Sequence, residues 1–412
     1  MVWTHCDTLI ATQHCAVIMV DVSVLPTKDT YTQALYIDDP AALTRLCADL
    51  RQRPYVAVDT EFLRERTYRP ELCLVQVKHE ELLACIDTIA IKDLSALSEL
   101  LLDESVTKVF HAASQDLEIF YLLTGKVPTP LFDTQVAAPL LGYNEQIGYA
   151  NLVREYLGVE LAKTHTRADW TRRPLPEKQI TYALDDVIYL EALYVDMHRQ
   201  LVELGRLAWL EPEFADAARP EKYSRPAGER WKKIRNVQRY KGPALSIIQA
   251  LARWREIKAR EINQPRNWLL KDDVLLNIAQ QQPHSEQELT HIRSLERKTR
   301  DRFGSEILAI VDAARKETPE PHPDFTKKQK LNAANLARLQ LLSAWVCQRG
   351  HELGIAPALL APQKVLERMV TGRGRDALHG WRDPLLGEEL SALLDGRAAL
   401  SCAEDGLHIE LQ

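Results

Sequence analysis

The chain has 412 residues, of which 46% are hydrophobic and 27% charged, with a formal net charge of −6. That length exceeds one ordinary core and predicts two or three globular domains, excluding fibrous and wholly disordered classes. The seven cysteines are odd in number, scattered and without a Cys-x-x-Cys pair, which argues against a disulfide framework or a zinc site and fits a reducing, cytoplasmic setting.

Residues 1–26 read as a disordered N-terminal extension. Leu9 to Val20 is partly apolar, but Gln13 and His14 interrupt it and no basic flank precedes it, so it is neither a signal peptide nor a membrane anchor. Met19 makes residues 1–18 either an extension or the product of an over-long gene start. Asp38, Asp39 and Pro40 then open a helix predicted over 40–53. Tyr55-Val-Ala-Val58 predicts a buried strand ending in two carboxylates, Asp59 and Glu61. Positions i and i+2 of a strand share a face, so this pair is either two solvated acids or half of a site for a hard cation. Further strands are predicted at 72–77, 82–87, 108–110 and 131–133, with helices at 93–102 and 114–123 and a helical pattern from there to about 205. Three strands in series followed by alternating elements predict a mixed α/β sheet.

Ser114 reads as the N-cap of the helix that carries Asp116 in its first turn, where an acid can simply complement the helix dipole. Asp133 reads most simply as a helix cap. In the helix around Tyr182-Ala-Leu-Asp185-Asp186, Ala183, Val187, Leu190 and Tyr194 form one stripe. Asp186 lies at its edge, one turn after Tyr182, while Asp185 faces away toward solvent. The loop Lys163 to Pro174 sets Arg167, Arg172 and Arg173 around Trp170: it either guides a phosphate backbone and stacks a base, or Trp170 pins it to the core.

Composition changes after residue 205. Residues 220–271 hold 14 Lys and Arg against 4 acids, a net of +10, interleaved with Trp231, Tyr240, Trp254 and Trp268. This reads either as a footprint for nucleic acid or as a basic linker followed by a helix with one solvated face. Residues 240–316 predict a helical unit starting at Lys241-Gly-Pro243, and 327–410 a second one beyond the proline-rich 318–323, which suggests a distant duplication.

Four converging acids, Asp59, Glu61, Asp116 and Asp186, would raise one another's pKa values unless cations lay among them. Two Mg²⁺ or Mn²⁺ ions about 3.5–4 Å apart would relieve that repulsion and supply the clamp used in phosphodiester hydrolysis. Tyr182, ordinarily titrating near pH ~10, suits orienting the attacking water better than abstracting its proton.

Asp59-Thr-Glu61-Phe62, His111-x4-Asp116 and Tyr182-x3-Asp186 resemble the three motifs of the DEDD 3′→5′ exonuclease superfamily. Thr181 stands five residues before Asp186, where the alternative subgroup carries His, so the Tyr subgroup fits. Arg172-Arg-Pro-Leu175 and the helical tail are similar to the ribonuclease D family, whose tail consists of HRDC domains. The resemblance implies an α/β plus all-α protein: an RNase H-like mixed-sheet exonuclease domain at 27–210, a basic linker at 211–239, an HRDC domain at 240–318 and an HRDC-like domain at 319–412. It implies a metal-dependent 3′→5′ exoribonuclease releasing nucleoside 5′-monophosphates, acting as a cytoplasmic monomer on RNA such as tRNA precursors with an unpaired 3′ tail. Asp59, Glu61, Asp116, Tyr182 and Asp186 are its expected catalytic residues, the four acids its metal ligands. Phe62, His111, Arg167, Trp170, Arg172 and Lys241 are candidates for substrate contact. A proofreading-type DNA exonuclease shares the same five residues, and a catalytically silent RNA-binding scaffold is the non-enzymatic alternative.

Overall fold

The computed structural model describes residues 28–161, 168–224, 226–322, 331–372, 374 and 378–411. The expected extension at 1–26 and Arg167 therefore lie outside the described residues. The chain forms two compact units, one from Met1–Glu61, Leu74–Arg219 and Lys330–Gln412, the other from Phe62–Cys73 and Pro220–Gln329.

The first unit is built on a six-stranded sheet of order β1-β4-β3-β2-β5-β6. In chain order its elements are α1 (Lys28–Thr32), β1 (Leu35–Ile37), α2 (Pro40–Leu50), β2 (Tyr55–Leu63), β3 (Glu71–His79), β4 (Leu82–Asp87), α3 (Ser95–Leu101), β5 (Thr107–Phe110), α4 (Ser114–Thr124), β6 (Leu131–Asp133), α5 (Thr134–Ala137), α6 (Tyr149–Leu157), α7 (Glu177–Glu203) and α8 (Glu211–Ala217). The expected mixed sheet is present: β3 and β4 are antiparallel, whereas β1–β4, β2–β5 and β5–β6 are parallel. Asp39 caps α2 as predicted, its Oδ1 accepting from the Ala41 and Ala42 N–H groups at 3.0 and 2.9 Å. Central strand β2 buries Val56, Ala57 and Val58 almost completely, so its polar end is held by a rigid apolar stem.

The second unit contains α9 (Gly242–Glu261), α10 (Arg266–Leu269), α11 (Asp272–Gln281), α12 (Glu286–Thr290) and α13 (Arg297–Ala314). Its core gathers Leu245, Ile248 and Leu251 of α9 with Leu275 and Ile278 of α11 and Ile307 of α13. Trp231, Ile234 and Val237 belong to the same core. Of the stretch expected as a basic linker, residues 211–219 thus belong to the first unit and 220–239 to the helical unit, where apolar residues at three-residue spacing are buried.

The C-terminal segment runs α14 (Ala333–Leu353), α15 (Pro357–Leu360), α16 (Gln363–Val370) and α17 (Glu388–Asp395), then an antiparallel hairpin of β7 (Ala398–Ala403) and β8 (Gly406–Leu411). That hairpin replaces the helix expected to run to residue 410. The segment folds within the first unit rather than standing alone. Trp209 stacks on Trp381 with ring centroids 4.6 Å apart. The Arg206 guanidinium donates to the Leu140 and Leu353 carbonyls at 2.6 and 2.5 Å.

Candidate active site

Strand β2 delivers Asp59 and Glu61, and helix α7 delivers Asp186. Carboxylate oxygens of the three lie within 4.8 Å of one another. The helix is fixed against the sheet five residues further on. There the buried Glu191 pairs with Lys78 at 2.7 Å and accepts from the Tyr55 hydroxyl at 3.2 Å and the Glu80 N–H at 2.6 Å.

Asp116 stands outside that triad, buried in the first turn of α4, and accepts the Thr60 hydroxyl at 2.5 Å. Its placement depends on Asp133, whose carboxylate accepts from the N–H groups of Ala112, Ala113 and Gln135, each at 2.9 Å. Asp133 thus caps α5 as expected and also ties down the turn into α4. Ser114, the predicted N-cap of α4, makes no capping bond; the N-cap position is Ala113. Ala112 has φ +56°, a left-handed conformation costing a non-glycine residue about 1 kcal/mol, and the Asp133 bond holds it there.

All four acids resist ionisation. Burial, then the charges of Asp186 and Asp116, push Glu61 up to about 9. Burial and the neighbouring Asp185 raise Asp186 to about 8 against the opposing hydrogen bond from Tyr182. Burial lifts Asp116 to about 7 despite the Thr60 bond, and Asp59 is raised by burial and by the charges of Asp186, Asp116 and Glu61. An all-oxygen donor set whose ionised form is unstable alone fits hard divalent cations, which favour that form.

Tyr182 hydrogen-bonds Asp186, and its ring lies 6.3 Å from that of Trp170. Burial and the charges of Asp186, Glu61 and Asp59 raise its pKa far above the ordinary phenol value, so it stays neutral and acts as donor and acceptor, not as a base. We expect Tyr182→Phe to lower turnover by about tenfold, the order of one charge-assisted hydrogen bond; single-turnover hydrolysis of labelled RNA measures it.

Other expectations are corrected by their surroundings. Asp185 is half-buried, not solvated: the Tyr31 hydroxyl, arriving from α1, donates to it at 2.5 Å. Trp170 is only 3% exposed, which leaves no ring face for a base; it pins the loop. The ring nitrogens of His111 meet the Thr134 hydroxyl at 2.9 Å and the Ile147 carbonyl at 3.1 Å. Both are therefore engaged within the protein, which makes His111 a positioning residue rather than a substrate contact. Arg172 and Lys241 are exposed and Phe62 half-buried.

Two contributors lie outside the expected site residues. Tyr149 donates to the Asp185 main-chain carbonyl at 3.0 Å, bracing the turn of α7 that bears Asp186. Arg173 grips Asp87 at 2.5 and 2.7 Å and donates to the Trp170 carbonyl at 2.7 Å, anchoring the loop before α7. Burial alone would raise the Asp87 carboxyl, but hydrogen bonds from Arg173, Tyr36 and the Ala90 N–H hold it at about 2. Its folded-state value is depressed, so this contribution is present above pH ~4 and lost as pH falls through about 2, an effect of roughly 2 kcal/mol. Asp87→Asn should therefore lower stability by about that amount at pH 7 and flatten the acid limb of a denaturation profile.

A 3′-5′ exonuclease family model matches residues 35–202, and the HRDC domain model matches 244–311. Curated relatives named Ribonuclease D include one from Sphingobium indicum, 41% identical over 374 residues (89% of this chain, 95% of the relative). Another, from Granulibacter bethesdensis, is 39% identical over 377 residues (90% and 94%). The chain belongs to the ribonuclease D family of 3′→5′ exoribonucleases. Membership accounts for the mixed-sheet exonuclease unit followed by an HRDC domain, and it implies the use of divalent metal ions, for which the carboxylate cluster offers oxygen donors. The crystal structure of Escherichia coli RNase D, described as an exoribonuclease involved in structured RNA processing, superposes with a TM-score of 0.74 at 31% identity, covering 88% of this chain and 99% of that one. Among the described residues, no helix is long and apolar enough to cross a membrane.

Proposed function

We propose that this exoribonuclease trims RNAs with an unpaired 3′ tail, tRNA precursors among them, with two Mg²⁺ or Mn²⁺ ions held by Asp59, Glu61, Asp116 and Asp186. The observation that carries the reading is the triad of acids within 4.8 Å, bordered by a neutral tyrosine. Bound there, a pair of divalent ions would lower the pKa of the attacking water and neutralise charge on the leaving 3′-oxygen.

The protein's own part is to aim the reactants. The Tyr182 hydroxyl, engaged with Asp186, keeps lone pairs that can accept a hydrogen bond from the attacking water and set its direction. Thr60 and Asp133 keep Asp116 in place, and Glu191 keeps α7 from sliding along the sheet. Phe62, two positions from the last β2 ligand's neighbour Thr60, is suited to pack against the terminal nucleotide, and exposed Arg172 to meet its phosphate. Only an unpaired end lets the terminal phosphodiester reach acids rooted in a buried strand.

The buried thiols Cys47 and Cys85 in the core support a reducing compartment, which we take to be the cytoplasm, and we take the enzyme to be a monomer. The helix order α14–α15–α16 repeats that of α9–α10–α11, a long helix, a four-residue helix and a medium one, which supports reading 319–412 as a second, diverged HRDC-like copy.

The test compares initial rates on a tRNA precursor with a 3′ trailer, the same RNA with its 3′ end paired, and a DNA oligonucleotide of the trailer sequence. The trailer RNA should be fastest. A DNA rate equal to or above it would overturn the assignment.

A further inference from the structure

Strand β2 is held by burial only part of the way along. Val56, Ala57, Val58 and Thr60 are buried, but Glu61, Phe62 and Leu63 at its end are half-buried. The connection that follows, residues 64–70, exposes Arg64, Glu65, Arg66 and Arg69 to solvent. Such a segment has little apolar surface of its own to keep it in one conformation. The tip of β2 therefore depends on how that connection is fastened.

The fastening comes from the helical unit, to which Phe62–Cys73 belongs. The Tyr68 hydroxyl donates to Oε1 of Glu256 in α9 and accepts from Arg260 Nε at 3.0 Å. The Arg260 guanidinium also lies over the Tyr68 ring, 5.7 Å from its centroid. The Arg69 N–H donates to Oδ1 of Asn263, just past α9, at 3.1 Å. Asn263 has φ +48°, a left-handed conformation that asparagine enters more readily than most residues.

Glu256 does not need the tyrosine for its own sake. Its fully buried carboxylate holds Arg230 and Arg260 at 2.9 Å and Arg266 at 3.3 Å, so its charge is compensated without Tyr68. The hydroxyl instead serves the connection. It bonds an ionised acceptor, the stronger kind of hydrogen bond, and that acceptor is itself fixed by three guanidinium groups.

We propose that Tyr68 and Asn263 are positioning residues for hydrolysis, which anchor the β2–β3 connection and so hold Glu61 and Phe62 in the geometry the reaction needs. A misplacement of about 1 Å at a reacting centre can cost on the order of 10²-fold in rate, so a loose tip of β2 would be felt in the chemical step. The inference rests on the roles proposed above for Glu61 and Phe62.

The experiment uses the full chain with Mg²⁺ and two 5′-labelled substrates, a 12-nucleotide single-stranded RNA and a dinucleotide with one phosphodiester. Tyr68→Phe keeps the ring and should lower kcat about tenfold on both substrates, the order of one hydrogen bond to a charged group, with KM changed less than about twofold. Asn263→Gly suits the left-handed backbone and loses only the acceptor; its solvent-exposed bond should cost about threefold. Asn263→Asp keeps an acceptor oxygen and should restore the rate. In metal-free protein, hydrogen exchange across residues 62–70 should quicken in Tyr68→Phe while the melting point stays unchanged, which separates a loosened segment from a damaged fold. A native kcat on the dinucleotide, a loss confined to the longer RNA or to KM, or unchanged exchange would overturn the positioning role. A native rate in Glu61→Gln beside the tenfold loss in Tyr68→Phe would leave the anchor acting through Phe62 and sink the metal role of Glu61 instead.

Discussion

Asp59→Asn should reduce turnover by about 10³-fold or more, on the order of removing a group that stabilises transition-state charge in a buried site, while RNA binding stays largely intact. The substitution keeps size and shape but replaces a charged two-oxygen donor with a neutral amide offering one. Asp59 is raised by burial and by three acidic neighbours, so its ionised form opposes folding at neutral pH when no cation is present. The metal-free Asn variant should therefore melt no lower than the native metal-free protein. Lost activity with an unchanged or higher melting point separates a damaged site from a damaged fold. Asp186→Asn should behave likewise in turnover, and near-native trimming by either variant would show that the carboxylates do not hold the reacting centre.

Removal of divalent ions should have an effect of similar size on activity, together with a pH signature in stability. Asp116, Asp186 and Glu61 sit at about 7, 8 and 9 in the folded chain, above the ordinary carboxylate range. Groups raised in this way contribute stability fully below about pH 4, and lose it as pH rises through their folded values. The melting point of chelated protein should thus fall between about pH 5 and 9. Adding Mg²⁺ or Mn²⁺ should raise it more at pH 8 than at pH 5, where protons compete for the same oxygens. At 100 times the dissociation constant the gain is about 2.7 kcal/mol, or roughly 5–10 °C for a unit of this size. A melting point at pH 8 indifferent to both ions would contradict a metal-holding role for the cluster.

The grouping of Asp59, Glu61 and Asp186 was legible in the sequence because each sits on a regular element whose period fixes its direction. Asp59 and Glu61 follow from strand alternation, and Asp186 from its turn after Tyr182. The surroundings of Asp185 were not, since its partner Tyr31 is 154 positions away and no local pattern joins them. Trp170 was ambiguous for a related reason: a tryptophan among arginines looks alike in a binding loop and an anchored one, and the anchor, Arg173 on Asp87, spans 86 positions. Three-residue β1 is too short for any period to show, and it is held by pairing with β4. The net charge of 220–271 does not say which cations are available: one buried carboxylate, Glu256, takes up three of its arginines, and composition cannot reveal which charges are spent.

The central claim is that Asp59, Glu61, Asp116 and Asp186 form a cation-dependent centre removing nucleotides one at a time from a 3′ end. It is tested most directly by incubating purified protein with a 5′-labelled single-stranded RNA and Mg²⁺, and resolving the products by length. A ladder shortening by single nucleotides from the 3′ end, absent with chelator and absent in Asp59→Asn, is the predicted result. Internal fragments, shortening from the 5′ end, or a ladder that persists in chelator would contradict it.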